Sequence, residues 1–116
     1  MLPIAVYHEH PDWFRPLFAE LTRRGLPHVA LDAAAHGFDP QDPTPPPWRL
    51  VFNRASPSAY LRGHGQATHY TLAFLRHLER RGVPVVNGSA VYGLEISKAD
   101  QLGLLGSLGL RAPRTR

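Results

Sequence analysis

The chain has 116 residues, 43% of them hydrophobic and 19% charged, which excludes a disordered polymer and fits one packed core. It has no cysteine, so disulfides, thiolate zinc sites and cysteine nucleophiles are excluded. Thirteen Lys+Arg against nine Asp+Glu give a formal charge of +4, but the arginines are scattered and no apolar run approaches ~18 residues, so neither nucleic acid nor a membrane is an expected partner.

Leu2–Tyr7 is too short for a signal-peptide core, and a cytoplasmic chain is the expectation. Pro3-Ile4-Ala5-Val6-Tyr7-His8 is a short apolar run with β-branched and aromatic members and reads as a buried first strand. Asp12 then precedes Trp13, Phe14, Leu17, Phe18 and Leu21, an apolar stripe at helical spacing. Pro16 must sit in or near the first turn, because deeper inside it would break the helix. Arg23-Arg24 and then Gly25 end it, with cations that complement the helix dipole. His28-Val29-Ala30-Leu31-Asp32 reads as a second strand. Between Ala33 and Trp48 the periodicity fails: Asp39-Pro40, Asp42-Pro43 and Pro45-Pro46-Pro47 mark an irregular, largely extended and stiff connection.

Leu50-Val51-Phe52-Asn53 is the third strand, followed by the polar turn Arg54-Ala55-Ser56-Pro57-Ser58. The next helix carries the stripe Ala67, Thr71, Phe74, Leu75 and Leu78 and ends at Arg80-Arg81-Gly82. Val83-Pro84-Val85-Val86-Asn87 is the fourth strand. Ser89 is expected to cap a short helical stretch, and Ser97, with Asp100 three residues on, a second one. In that last helix Ile96, Ala99, Leu102, Leu105 and Leu108 share a face, and Gly109 with Pro113 stops it. Strands alternating with helices imply right-handed crossovers: a small three-layer α/β sandwich with a mostly parallel, four-stranded, Rossmann-like sheet.

Ligands of an open parallel sheet bind beyond the carboxyl ends of its strands, which selects His8-Glu9-His10, Asp32, Asn53-Arg54 and Asn87-Gly88-Ser89. The glycine-rich dinucleotide fingerprint and Walker spacing are missing, which argues against a free-standing nicotinamide or P-loop enzyme. His8, Glu9, His10, Asp12, His64 and His69 are conceivable metal ligands. Two histidines one residue apart, with no helical i, i+4 pair, are a weak metal signature, and hydrogen-bonding or exposed histidines account for them. Ser56 and Ser58 lack a G-x-S-x-G elbow and read as turn anchors. Arg54 can present a planar fork to a carboxylate or phosphate, or pair with a neighbouring surface carboxylate. Lys98 lies in a first helical turn, where a cation opposes the dipole beside amides that welcome anions; it reads either as a phosphate contact or as an ordinary exposed lysine.

The series Asn53-Arg54-x-Ser56-Pro57, Gly82-Val83-Pro84-Val85-Val86-Asn87-Gly88, Ile96-Ser97-Lys98-Ala99, Gln101-Leu102, Leu104-Leu105, Leu108-Gly109-Leu110 and Pro113-Arg114-Thr115 resembles the amino-terminal part of ATP-grasp ligases. The likeness is to the glutathione synthetase and ribosomal-protein glutamate ligase type. It implies a pre-ATP-grasp domain over residues 1–112, with 113–116 starting a linker into an ATP-grasp domain that these residues do not include. The full-length enzyme would use ATP and magnesium to join a carboxylate to an amine through an acyl phosphate. By the same resemblance Lys98 reaches ATP phosphates, and Arg54, Asn53, Asn87, Ser89 and His8 lie on the substrate side of the cleft. The family clamps ATP between two later subdomains that supply a further lysine, the adenine pocket and the magnesium ligands, and one arginine plus one lysine cannot replace those groups. The expectation is therefore no catalytic residue, metal or cofactor in this chain by itself, with a downstream ATP-grasp domain as partner and a homodimer as a further possibility. The alternative is a non-catalytic interaction or dimerisation module of the same fold.

Overall fold

Four short apolar segments pair into one wholly parallel sheet in a computed structural model that describes residues 1–56 and 65–114. The strands are β1 Ile4–His8, β2 His28–Asp32, β3 Leu50–Asn53 and β4 Val85–Val86, ordered β2-β1-β3-β4. Ile4 stands opposite His28 on one side and Leu50 on the other, and Val51 opposite Val85. A 3-10 turn at Pro11–Phe14 leads into α1 Arg15–Arg23; α2 is Gly65–Arg80, α3 Ser89–Glu95 and α4 Lys98–Ser107. Pro57, Ser58, His64, Thr115 and the Ala67 side chain lie outside the described residues.

The side-chain alternation of β1 sorts the helices into two outer layers. Tyr7 faces α2, its ring 5.2 Å from Phe74, while His8 faces the other way, 6.0 Å from Phe14 and 6.1 Å from Phe18. Ala5, Tyr7, Val51, Phe74, Leu78 and Val83 form one buried cluster on the α2 side. Inside it the Tyr7 hydroxyl and Thr71 Oγ1 bond at 2.9 Å, so neither fully buried oxygen is stranded. Thr71, Phe74, Leu75 and Leu78 are buried, as the helical stripe predicts. Gly25, Gly82 and Gly109 each take positive φ just past a helix end, where a side chain would be strained. Arg23 and Arg24 both donate to Glu20 a turn earlier, at 2.6–2.8 Å, so this arginine pair serves its own helix end.

Five local expectations are corrected. The stripe from Trp13 to Leu21 is not one helix: Pro11 starts a 3-10 turn in which Asp12 accepts from Arg15 at 2.7 Å, and α1 follows with Pro16 in its first turn, as expected. β4 is only two residues long, because Val83 still bonds back to Leu78 at the end of α2 and Asn87 turns away at φ 60°. Gly88, not Ser89, is the N-cap of α3. Ser97 does cap α4, accepting from the Asp100 amide at 3.1 Å, but that helix packs on α3 and its stripe is half covered: Leu102 and Leu105 are partly buried, Ile96, Ala99 and Leu108 exposed. The proline-rich connection is more than a spacer, for Phe38 and Trp48 pack against the core and His36 Nδ1 bonds the Tyr70 hydroxyl at 2.8 Å. Among the described residues no helix is long and apolar enough to cross a membrane.

A candidate substrate crevice at the carboxyl end of the sheet

From β1 the chain crosses to β2 on one side, and from β3 to β4 on the other, so the topological switch lies between β1 and β3. Backbone bonds close the ends of these strands: the Arg54 amide donates to the Tyr7 carbonyl and the Ala33 amide to the His8 carbonyl, both at 2.7 Å. Beyond them a polar cavity of about 190 Å³ is lined by Asn53, Arg54, Ala55, Ser56, Asn87 and Glu95.

Two asparagines build its floor. Asn53 Nδ2 donates to the Asn87 carbonyl at 3.0 Å, Asn87 Nδ2 donates to the Asn53 carbonyl at 3.2 Å, and Asn53 Oδ1 accepts the Ala55 amide at 3.1 Å. The reciprocal pair holds the ends of β3 and β4 together and supports Asn87 in the left-handed region, which asparagine tolerates better than most residues. Asn53 is 3% exposed with its amide committed on both sides; it positions the site rather than reaching into it.

Arg54 follows on the next residue and is exposed. Its guanidinium carbon lies 5.5 Å from the Phe14 ring centroid and 5.6 Å from that of Phe52, so two aromatic rings steer the fork. Among the described residues no carboxylate forms an ion pair with it. Glu95, from the last turn of α3, lines the same cavity. A guanidinium and a carboxylate on one small polar cavity suit a ligand that carries both a carboxylate and an ammonium group.

The remaining predicted residues stand apart from this wall. His8 is 2% exposed, packed on Phe14 and Phe18, and its Nδ1 has no hydrogen-bond partner. Burial lowers its pKa against the opposing pull of Asp32, which favours neutral imidazole. Ser89 is taken by α2: its amide donates to Glu79 Oε1 at 2.7 Å and its hydroxyl to Oε2 at 2.6 Å. Glu79 thereby closes the amino end of α3, and a Cβ on Gly88 would come within 2.5 Å of that carboxylate. Lys98 is exposed, 3.3 Å from Gln101 Oε1, and does not line the Arg54 cavity. Glu79, Glu95 and the two phenylalanines beside Arg54 were not among the candidates. Glu79 lies ten residues before the serine it holds, and no local motif marks it.

A magnesium–triphosphate group does not fit these residues by themselves. Among the described residues no three His, Cys, Asp or Glu side chains gather closely enough to hold a metal ion, and Lys98 is drawn to a neighbour on its own helix. Comparison with protein-family models and with curated protein sequences finds no match to this chain.

Proposed function

We propose that this chain is the substrate-cleft domain of an ATP-dependent carboxylate–amine ligase of the ATP-grasp type, inactive by itself. In this reading Arg54 receives a substrate carboxylate over the floor made by Asn53 and Asn87. Nucleotide and magnesium belong to a downstream ATP-grasp domain, and the exposed Lys98 would leave Gln101 to reach the ATP phosphates. The observation that carries the reading is the place of Arg54: at the switch point of a parallel sheet, steered by two rings, on a cavity that Glu95 also lines.

The test is a titration of the chain with L-glutamate, followed by amide and guanidinium NMR shifts. Saturable shifts at Arg54 and Asn87 are expected, with affinity in the millimolar range of a single charge-assisted contact. Arg54→Gln should abolish them while leaving the thermal midpoint unchanged. Shifts that survive Arg54→Gln, or ATP hydrolysis by the purified chain, would overturn the proposal.

A second reading, a non-catalytic interaction module of the same fold, is favoured by the α4 surface, where Leu104, Leu108 and Leu110 are 44%, 63% and 55% exposed. Concentration-dependent dimerisation in sedimentation, removed by Leu108→Lys, would support it over the ligase reading.

A further inference from the structure

A larger cavity, about 260 Å³, lies between α2 and the proline-rich segment that docks on it. Its apolar walls are Phe38, Trp48 and Phe74. The rings meet at angles instead of stacking: Phe38 and Phe74 are 5.1 Å apart and tilted by 45°, Trp48 and Phe74 6.3 Å apart and nearly perpendicular. Phe74 is buried beneath the other two rings, and Phe38 and Trp48, each partly exposed, offer the π-faces that an alkylated ammonium group can use.

The polar groups that line this cavity are mostly acceptors and carboxylates, with one guanidinium, Arg81, at its rim. Pro45, Pro46 and Pro47 line the cavity and bring no N–H donor. Asp39 and Asp42 add two carboxylates. Each uses Oδ1 to accept a backbone amide two residues on, Gln41 and Thr44 respectively, at 2.9 Å, and neither forms an ion pair among the described residues. His36 and His77 also line the cavity; burial holds both below the ordinary histidine pKa, so they do not compete as cations near neutral pH. Arg81 is not part of the lining, but its guanidinium donates to the Asp42 carbonyl and, with Arg80, acts on the lining residue His77, so a ligand cation shares Asp42 with it.

We propose that this cavity is a binding site for a small alkylated ammonium ion, its methyl groups against Phe38 and Trp48 and its charge toward Asp39 and Asp42. This site is independent of the Arg54 crevice and of the ligase reading.

The reporter is Trp48 fluorescence in a Trp13→Phe background, since these are the chain's two tryptophans. Choline is the probe, and 3,3-dimethylbutan-1-ol, of the same shape without the charge, is the control. Saturable change with choline and at least about tenfold weaker binding of the alcohol are expected. The pair Asp39→Asn and Asp42→Asn keeps the amide-accepting oxygens and hence the loop turns, and should weaken choline about threefold or more while leaving the alcohol unchanged. Equal affinity for the two probes would make this an apolar cavity without charge selectivity, and failure of choline to saturate into the high-millimolar range would remove the site. Either result overturns the proposal. Circular dichroism of each variant confirms that it is folded before it is scored.

Discussion

Replacing Asn53 by alanine separates a positioning role from a ligand-binding one. The substitution deletes the donor to the Asn87 carbonyl and the acceptor of the Ala55 amide, at a residue 3% exposed. A neutral intramolecular hydrogen bond contributes about 1 kcal/mol net, and leaving a buried partner unpaired costs about 1–3 kcal/mol. Asn87 is half-buried, so water can recover part of the loss at its carbonyl. A destabilisation of about 2 kcal/mol follows, or a thermal midpoint lower by about 8 °C for a domain of this size. Urea unfolding followed by circular dichroism measures it, and the m-value should be unchanged because the exposed surface is the same. Asn53→Asp should cost at least as much as alanine near neutral pH, since it keeps the acceptor for Ala55 but sets a buried carboxylate oxygen against the Asn87 carbonyl. A loss under about 0.5 kcal/mol, the range of ordinary surface substitutions, would refute the claim that this pair holds β3 to β4.

Tyr7→Phe and Thr71→Val should each cost about 1–2 kcal/mol in the same assay, while the double variant costs clearly less than their sum, because removing both buried hydroxyls strands neither. Glu79→Ala should lower stability by about 1 kcal/mol through loss of the Ser89 contacts at the head of α3, and Glu79→Gln by less; no effect of either would show that Gly88 alone starts the helix. Burial lowers the pKa of His8, His36 and His77, so below the ordinary histidine value of about 6.5 the unfolded chain binds protons that the folded chain does not. Stability should therefore be full above about pH 6.5 and fall as the pH drops through and below it, seen as a lower urea midpoint at about pH 5 than at about pH 7, with a smaller difference in His36→Gln.

The parts legible in the sequence are those whose cause is local. β2 and β3 begin and end where the apolar runs do, and Ser97 caps α4 because the partner amide lies three residues on. The α/β layering follows from alternation, and the crevice from the rule that loops at strand carboxyl ends meet at the switch point. What was not legible is tertiary. Nothing near Ser89 announces that Glu79 claims it, and nothing near His8 announces that Phe14 and Phe18 cover it. The docking of residues 33–48 did leave a signal: a mere spacer has no use for Phe38 and Trp48, and aromatic side chains in a proline-rich stretch mark a segment that packs. The role of Arg54 was half legible, since its type and place could be read but not the two rings that aim it.

The strand order also constrains the course of folding. β1 reaches β2 through a single local crossover, but pairs Ile4 with Leu50 only after that whole unit and the docked segment have been traversed. Closing the longer loop carries an extra entropic cost of about 0.6 kcal/mol, which favours the β1-α1-β2 unit forming before the seam between β1 and β3. The crevice thus opens onto the youngest contact of the molecule. If the β3–β4 tie beside this seam also forms late, Asn53→Ala should speed unfolding in stopped-flow while leaving the refolding rate nearly untouched.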